Sequence, residues 1–276
     1  MRRRIWRIVI VVCIGVIVLG SAMLWFDART NADIAAQNER YRAMRNVVVQ
    51  NTPAEPTPMP TPDDGTVRIT LPTEPPRDAG YAMLSAVNPD FCGWLRAGRV
   101  DLPVVHREND NETYLNTNLS GEESIGGTLF VDGFNRLYPT DMLTIIYGHN
   151  MNSGDMFGSL SDYLSPGYLQ QHPIVHFDTV YAEGSYVPFA VFAAPADSVD
   201  IRQFQPSVEQ FNALIDRCKQ LSAYNTGVDV RYGDTLLALV TCKGDGDDRL
   251  FVLCRALRAN ENEMDIVMML DSLSNP

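Results

Sequence analysis

The fold is decided by two apolar runs that a short polar loop separates: Leu236–Cys242 (LLALVTC), the loop 243–248 (KGDGDD) and Arg249–Leu257 (RLFVLCRAL). Short runs of apolar and β-branched residues, bounded by glycine and aspartate, are typical of β-strands. Two strands joined by so short a loop lie side by side in a sheet. The spacing therefore predicts that Arg249, at the start of the second strand, lies near Cys242, at the end of the first.

Five further runs of the same kind precede this pair: Val100–His106, Thr128–Asp132, Leu143–His149, Ile174–Thr179 and Tyr186–Ala194. Several short strands within about 200 residues indicate a mostly β domain, built as a sandwich or a barrel. Many of the runs are apolar at both odd and even positions. Both faces of the sheet are therefore expected to be covered, one by the core and the other by helices.

Helices are predicted at three places in this domain. The clearest is Val208–Leu221, where apolar residues recur every three or four positions and form one stripe. Ser207 and Gln210 give it a capping-box pattern, in which each side chain bonds a free backbone group at the start of the helix. The other two helical stretches are Ala79–Asn88 and Met156–Leu164.

The charge balance excludes one class of partner. The 276 residues carry 22 Lys and Arg against 34 Asp and Glu, a net charge of −12. Nucleic-acid binding relies on clustered Lys and Arg that contact phosphates, so no nucleic-acid partner is expected.

The N-terminus predicts a membrane anchor. Residues 8–26 are uncharged and mostly apolar, and as a helix they would span about 28 Å, close to the hydrocarbon thickness of a bilayer. The basic segment 1–7 predicts a cytoplasmic N-terminus and an extracellular C-terminal domain. A cleaved signal peptide is the alternative, although its apolar region would be shorter and no clear cleavage site follows.

The chain changes character between this anchor and the folded domain. Residues 27–51 are polar and predict a helical stalk, whereas residues 52–78 are rich in Pro and Thr and predict an extended, semi-rigid linker. The predicted organisation is thus a cytoplasmic segment at 1–7, a transmembrane signal-anchor at 8–26, the stalk, the linker, and a folded domain at 79–276.

Cys242 is the cysteine whose surroundings indicate chemistry. It ends an apolar strand beside a polar, glycine-rich loop, which places its thiol at a surface groove. A guanidinium beside it, from Arg249, could stabilise a thiolate or an oxyanion. The alternative is an edge arginine that pairs with Asp247 or Asp248. The other four cysteines are predicted to be small buried hydrophobic residues: Cys13, Cys92, Cys218 and Cys254.

His149 is the histidine with the most informative context. It follows the apolar run Leu143–Ile146, at the point where a strand opens into a loop. A cysteine nucleophile in acyl transfer needs a nearby group that accepts and donates protons, and histidine is the usual partner. The remaining histidines have structural contexts: His106, His172 and His176.

A series of motifs runs through the domain in a fixed order. They are Asn88–Leu95 (NPDFCGWL), Leu102–Val105 (LPVV), Tyr114–Asn116 (YLN), Gly127–Asp132 (GTLFVD), Ile146–Met151 (IYGHNM), Met156–Gly158 (MFG), Tyr224–Val228 (YNTGV) and Leu239–Cys242 (LVTC), with Arg249 beyond. Together they resemble the class B sortase family from about Tyr81 to Leu257. Each motif alone is weak, whereas several in family order are specific.

The resemblance implies a mostly β fold, an eight-stranded sortase-type β-barrel with added α-helices. It also implies a cysteine transpeptidase on the outer face of a Gram-positive-type membrane. By position, Cys242 matches the nucleophile, His149 the catalytic histidine and Arg249 the catalytic arginine. Tyr147 and Thr241 are implied to flank the substrate groove. This chemistry requires no metal and no organic cofactor.

The implied reaction consists of two acyl transfers. The enzyme cleaves a C-terminal sorting signal of the Asn-Pro-x-Thr type, and an amine of a peptidoglycan precursor or of a pilin resolves the thioester. The implied partners are secreted proteins that carry sorting signals, the amine acceptor, and the membrane through the N-terminal helix.

Several points stay open in the sequence. The chain departs from the family's Thr-Leu-x-Thr-Cys pattern at Ala238, a change that we expect to be tolerated. Either Arg249 or Arg255 could approach the thiol, and the acidic loop residues 245–248 could bind a cation. The main alternative function is a non-catalytic surface domain that binds sorting-signal peptides or cell-wall material. A cysteine hydrolase of unrelated fold is a third.

Overall fold

Eight β-strands close into a barrel. The computed structural model describes residues 2–45, 75, 77–242 and 247–272, except for the side chains of residues 2–12, 242, 271 and 272. The strands are β1 (Phe91–Ala97), β2 (Val100–Val105), β3 (Leu129–Val131), β4 (Leu143–Tyr147), β5 (Val175–Thr179), β6 (Ser185–Pro195), β7 (Leu236–Cys242) and β8 (Asp248–Ala256). Around the barrel they follow the order β1-β2-β3-β4-β7-β8-β6-β5. The mostly β, eight-stranded prediction is therefore confirmed.

Most neighbouring strands are antiparallel, and two pairs are parallel: β2 with β3, and β4 with β7. In the β4–β7 pair, Tyr147 lies beside Val240. The β7–β8 hairpin is antiparallel and sets Cys242 opposite Arg249, as the loop spacing predicts. Parallel neighbours need a long crossover, and the chain from β4 to β7 passes through β5, β6 and the helices between them.

The described residues contain five α-helices: α1 (Arg2–Arg45), α2 (Ala82–Val87), α3 (Pro166–Gln171), α4 (Val208–Leu221) and α5 (Glu263–Ser272). Short 3-10 turns lie at Ala79–Tyr81, Thr113–Leu115 and Gly158–Leu164. α4 packs on β6 and buries four residues of the predicted stripe, Phe211, Leu214, Ile215 and Cys218, while Val208 at its start is exposed. One face of the sheet is thus covered by a helix, as the apolar character of both strand faces predicts.

α1 contains the apolar N-terminal stretch. Its part Cys13–Arg45 is long and apolar enough to cross a membrane, a criterion that a signal sequence also meets. The predicted anchor 8–26 and the predicted stalk as far as Arg45 fall in this helix. Residues 46–51 of the predicted stalk, and residues 52–74 and 76 of the predicted linker, lie outside the described residues.

Three elements, β1, α3 and α5, have no counterpart among the runs that the sequence pattern predicts. Gly93 interrupts the apolar run within β1, and β5 approaches closely there: a Cβ atom at Gly93 would lie 2.5 Å from the carbonyl oxygen of Asp178. In α5 the buried apolar residues are Ile266 and Leu270. A single pair of apolar positions is too short a stripe to predict a helix.

The stretch Met156–Leu164 is helical only in part, as the 3-10 turn Gly158–Leu164. Met156 has φ of 51°, which lies in the left-handed region and is incompatible with a helix that begins there. A Cβ atom at Gly158 would lie 2.1 Å from the Met151 carbonyl oxygen, so two backbone segments cross closely at this point. This crossing sets the backbone conformation at the start of the stretch and overrides its local preference for a helix.

The cap of α4 gives a stability prediction. The Ser207 hydroxyl accepts the Gln210 N–H at 3.2 Å, and the Gln210 side chain accepts the Ser207 N–H at 2.8 Å. We expect Ser207→Ala to lower the free energy of unfolding by about 1 kcal/mol, because the Gln210 N–H loses its acceptor. Ser207→Gly, which opens the helix end to water, should cost about 0.3 kcal/mol. Chemical denaturation of the full-length protein in detergent measures both, and equal losses would contradict this account of the cap.

Candidate active site

The carboxyl ends of β4 and β7 lie side by side because these strands are parallel neighbours. Tyr147 pairs with Val240, and the N–H of Gly148 donates to the Val240 carbonyl oxygen at 3.3 Å. His149 follows Tyr147, and Cys242 follows Val240, each two residues later. The parallel register therefore brings the backbones of His149 and Cys242 to the same edge of the barrel.

Arg249 lies on the third strand at this edge. It is the direct partner of Cys242 in the β7–β8 pair, and neighbouring strands are about 4.8 Å apart. Its Nη1 donates to the backbone carbonyl oxygens of Asp247 and Asp248, at 3.2 and 3.3 Å. The guanidinium thus bonds the backbone of these two residues, and not their carboxylates as the alternative interpretation expected.

Arg255 lies far from this edge. Its partner across the hairpin is Leu236, at the other end of β7 from Cys242. Its buried guanidinium donates two hydrogen bonds to the Glu261 carboxylate, one of them at 3.0 Å. These bonds hold the pKa of Glu261 below its usual value. Of the two arginines that the sequence left open, Arg249 is the one beside Cys242.

The ring of His149 is held by a backbone group. Its Nε2 lies 2.7 Å from the Leu115 carbonyl oxygen, and Leu115 ends the 3-10 turn Thr113–Leu115. Because a carbonyl oxygen can only accept, Nε2 carries the proton in this contact. Nδ1 is then the ring nitrogen that remains for proton exchange. The His149 carbonyl accepts the Phe157 N–H at 2.8 Å, which fixes the loop after β4.

A groove of about 490 Å³ opens beside Arg249. Strands β4, β7 and β8 supply one side, and the segment between β6 and α4 supplies the other. The lining residues are Tyr147, Val240, Arg249 and Phe251 on the strands, and Ala196, Asp197, Val199, Asp200, Ile201 and Arg202 on the segment. Ligand pockets commonly measure about 300–1,000 Å³, so the groove is large enough for a short peptide segment.

Tyr147 contributes its ring to the groove while its hydroxyl bonds inward. The ring packs against Phe130 with a centroid separation of 5.4 Å, and the hydroxyl donates to Asp132 Oδ2 at 3.0 Å. Burial, together with the nearby Asp132 carboxylate, raises the pKa of Tyr147 to about 12. The hydroxyl therefore stays protonated and bonded, and the ring is the part of Tyr147 that faces the groove.

Asp132 and Arg202 are site residues that sequence reasoning missed. Asp132 is fully buried, and Arg202 Nε lies 3.1 Å from its Oδ2. Arg202 also lines the groove, so this ion pair joins the groove wall to the end of β3. The sequence does mark Asp132, as an acidic residue at the end of the predicted strand Thr128–Asp132. Nothing in a single sequence indicates its pairing with Arg202.

Thr241 does not line the groove. Successive side chains of a strand point to opposite faces, and Val240 is the neighbour that faces the groove. Thr241 is buried, and its hydroxyl has no hydrogen-bond partner in the part of the chain that the structure describes. A role of Thr241 in substrate binding stays a prediction.

The other cysteines differ in exposure. Cys92, Cys218 and Cys254 are free and buried, as predicted, whereas Cys13 lies on α1, within the predicted membrane span, and is not covered by the protein itself. Burial raises the pKa of all three buried thiols, to about 12 for Cys218. None of the three is therefore a thiolate near neutral pH.

No metal centre is evident within the described ranges, where no group of three or more His, Cys, Asp and Glu side chains could hold an ion. The acidic loop residues 245 and 246 lie outside those ranges. Asp247 and Asp248 are exposed.

The Tyr147 hydroxyl gives a second stability prediction. We expect Tyr147→Phe to lower the free energy of unfolding by about 1–3 kcal/mol, because the buried Asp132 carboxylate loses a donor while the ring is kept. Tyr232→Phe is the matched control, since that hydroxyl contacts the Pro206 carbonyl at 3.4 Å from a half-exposed ring. Its expected cost is below about 0.5 kcal/mol. Chemical denaturation measures both, and equal costs would show that Asp132 does not depend on Tyr147.

Curated relatives were found in two bacterial species, although no protein-family model matches the chain. Sortase B of Listeria monocytogenes is 32% identical over 166 residues, which cover 59% of this chain and 67% of that protein. Sortase B of Staphylococcus aureus is 26% identical over 185 residues, which cover 65% of this chain and 75% of the relative.

Solved structures give the same result for the fold. The Staphylococcus aureus sortase B–substrate complex superposes with a TM-score of 0.62 and 25% identity, over 67% of this chain and 87% of that one. Sortase B from B. anthracis in complex with AAEK1 gives 0.60 and 26%, over 65% and 85% of the two chains. The sequence relatives and the structures that share the barrel lead to the same conclusion: the chain belongs to the sortase B family of cysteine transpeptidases.

Proposed function

We propose that Cys242 is the nucleophile of this transpeptidase, His149 its proton-transfer group and Arg249 the donor to the oxyanion. The observation that carries the proposal is the common edge of β4, β7 and β8, where Cys242 and Arg249 pair across β7 and β8 and His149 follows the last residue of β4 by two positions. A nucleophile, a proton carrier and an oxyanion donor must surround one carbonyl group within a few ångströms. Three neighbouring strand ends have that spacing.

The first half of the proposed reaction forms a thioester. The Cys242 thiolate attacks the carbonyl carbon of the Thr in the sorting signal, and the Arg249 guanidinium stabilises the negative oxygen of the tetrahedral intermediate. His149 then gives a proton to the leaving amine, the C–N bond breaks, and the C-terminal fragment of the substrate departs.

The second half transfers the acyl group to an amine. The incoming amine attacks the thioester carbonyl, and His149 accepts the proton that the amine loses. The new C–N bond forms as the C–S bond breaks, which regenerates the Cys242 thiolate and the protonated ring. A thioester keeps the carbonyl reactive toward an amine, so the exchange needs no ATP, metal or organic cofactor.

The proposed substrates are secreted proteins with a C-terminal sorting signal of the Asn-Pro-x-Thr type, and the proposed acceptor is an amine of a peptidoglycan precursor or of a pilin. Two structures of related enzymes support this class of ligand: a Staphylococcus aureus sortase B–substrate complex and a sortase B complexed with triglycine. Tyr147 and Thr241 are proposed to flank the groove that holds the signal. The support for Tyr147 is its ring in the groove, and for Thr241 it is the position next to Cys242.

The proposed location is the cell membrane, with a cytoplasmic N-terminus, one membrane span and an extracellular catalytic domain. The support is the apolar stretch of α1 together with the basic residues before it, since positive charge favours the cytoplasmic side. The proposed domain bounds are those of the sequence analysis: 1–7, 8–26, 27–51, 52–78 and 79–276.

Intact-mass spectrometry tests the nucleophile and the substrate class together. Full-length protein in detergent micelles is mixed with Asn-Pro-x-Thr-x peptides, and the acyl-enzyme is trapped by acid. We expect a mass increase equal to the peptide fragment that ends in Thr. Cys242→Ala should abolish this adduct, whereas Cys13→Ala, which removes the thiol of the proposed membrane span, should leave it unchanged.

The other outcomes separate the alternatives. An adduct that survives Cys242→Ala would contradict the assignment of the nucleophile. A Cys242 that reacts with iodoacetamide but forms no adduct with any peptide would point to a different sorting motif. No adduct and an unreactive thiol would favour the non-catalytic binding domain.

The two arginines of β8 give opposite predictions. Arg249→Ala should slow acyl-enzyme formation by about 10²–10³-fold at unchanged stability, because it removes an oxyanion donor. Arg255→Met should instead lower the free energy of unfolding by about 3 kcal/mol, since Glu261 loses its buried partner, and should leave the acylation rate of the folded protein unchanged. Quenched-flow mass spectrometry and chemical denaturation measure the two effects. A slow but stable Arg255→Met protein would reverse the assignment.

A further inference from the structure

The Leu115 carbonyl group, which accepts the hydrogen bond from His149, belongs to a turn that several other contacts fix in place. We propose that Asp110 and Gly127 are positioning residues for His149: they fix the Leu115 carbonyl oxygen, which in turn fixes the orientation and the tautomer of the ring. The inference rests on the proposed role of His149 in proton transfer. Asp110 and Gly127 act through the backbone of Leu115.

Asp110 holds the turn from its start. Its Oδ1 accepts the N–H groups of Glu112 and Thr113 at 2.8 and 3.0 Å, and its Oδ2 accepts the Thr113 hydroxyl at 2.5 Å. The Leu115 N–H then donates to the Glu112 carbonyl at 3.2 Å and closes the turn. The hydrogen bonds from Thr113 and Glu112 lower the pKa of Asp110 to about 2, so this carboxylate is ionised near neutral pH.

Tyr114 anchors the same turn in the core. Its side chain is 3% exposed, and its hydroxyl donates to Asp90 Oδ2 at 2.7 Å and accepts from Asn88 Nδ2 at 3.0 Å. Its backbone carbonyl accepts the Thr128 N–H at 3.0 Å. The residue before Leu115 is therefore fixed in both side chain and backbone, which leaves the Leu115 carbonyl little freedom to move.

Gly127 packs against the carbonyl group itself. Its φ of 57° lies in the left-handed region, and a Cβ atom there would lie 2.4 Å from the Tyr114 oxygen and 2.6 Å from the Leu115 oxygen. Contacts that short would force the backbone to shift, because both neighbouring atoms are backbone oxygens. Glycine at position 127 thus lets the chain pass beside the oxygen that accepts the His149 proton, and a side chain would displace this oxygen.

A displaced carbonyl would change the histidine in a defined way. The neutral ring exists as two tautomers, and a hydrogen bond from Nε2–H to a fixed acceptor selects the one in which Nδ1 is free. Without that acceptor, the proton can reside on Nδ1, the nitrogen that must accept a proton from the incoming amine. Misplacement of a reacting group by about 1 Å can cost about 10²-fold in rate.

Histidine NMR tests the inference directly, since protonated and unprotonated ring nitrogens differ widely in ¹⁵N shift. The full-length protein is labelled with ¹⁵N-histidine in detergent micelles, and His149→Asn assigns the His149 signals. Asp110→Ala removes all three acceptor contacts, whereas Asp110→Asn keeps the oxygen that accepts two N–H groups. Asp78→Ala is the matched control, because Asp78 caps the 3-10 turn Ala79–Tyr81 by accepting the Gly80 N–H at 2.8 Å.

We expect the wild-type neutral ring to carry its proton on Nε2. In Asp110→Ala the His149 signals should shift to a mixture of tautomers, and acyl-enzyme formation with an Asn-Pro-x-Thr-x peptide should slow by about 10–100-fold. Asp110→Asn should restore the wild-type spectrum and most of the rate. Asp78→Ala should leave both unchanged even where its melting temperature falls. Gly127→Ala, where it folds, should shift the signals as Asp110→Ala does.

A His149 spectrum that is unchanged in Asp110→Ala would overturn the positioning role, whatever the acylation rate. A shift of equal size in Asp78→Ala would overturn it too, since the effect would then report general loosening of the fold. Failure of the proposed function looks different: His149→Asn would leave acyl-enzyme formation unchanged. In that case the NMR comparison still decides whether Asp110 positions the ring.

Discussion

The parallel pairing of β4 with β7 is the constraint on which the site depends. Side chains alternate between the faces of a strand, so a slip of one residue would turn Tyr147 away from the groove and carry His149 away from Cys242. Apolar packing opposes such a slip. Ala238, where the chain departs from the Thr-Leu-x-Thr-Cys pattern, is fully buried beside Ile145 of β4. An apolar side chain fits there without leaving a hydroxyl unsatisfied, which explains how this position accepts the change.

Periodicity in the sequence reports what each element buries by itself, and it therefore predicts seven strands and α4 in nearly their observed bounds. It fails for β1, where Gly93 serves the close approach of β5, and for α5, where the buried residues are only Ile266 and Leu270. Strand order lies beyond periodicity altogether, because β4 and β7 are distant in the chain and their pairing leaves no local pattern. The eight-stranded barrel followed from the resemblance to a family.

The contacts within the site are also of two kinds: some join residues that are close in the chain, and others join residues that are far apart. The closeness of Cys242 to Arg249 follows from a short loop, so the sequence predicts it. The pair of Asp132 with Arg202 and the contact of His149 with the Leu115 carbonyl join residues far apart in the chain. A backbone carbonyl also carries no signal of residue type. The sequence predicts the groups that are proposed to react, and it does not predict the groups that hold them.

The two partners proposed for Cys242 are held by backbone carbonyls. His149 donates to the oxygen of Leu115, and Arg249 donates to the oxygens of Asp247 and Asp248. A carboxylate in the place of the two carbonyls that hold Arg249 would neutralise its positive charge and weaken its field at the carbonyl carbon under attack. A neutral acceptor orients the donor and leaves the charge available to a thiolate or an oxyanion. In a protein of net charge −12, this choice of partner keeps positive charge at the one edge where the proposed reaction needs it.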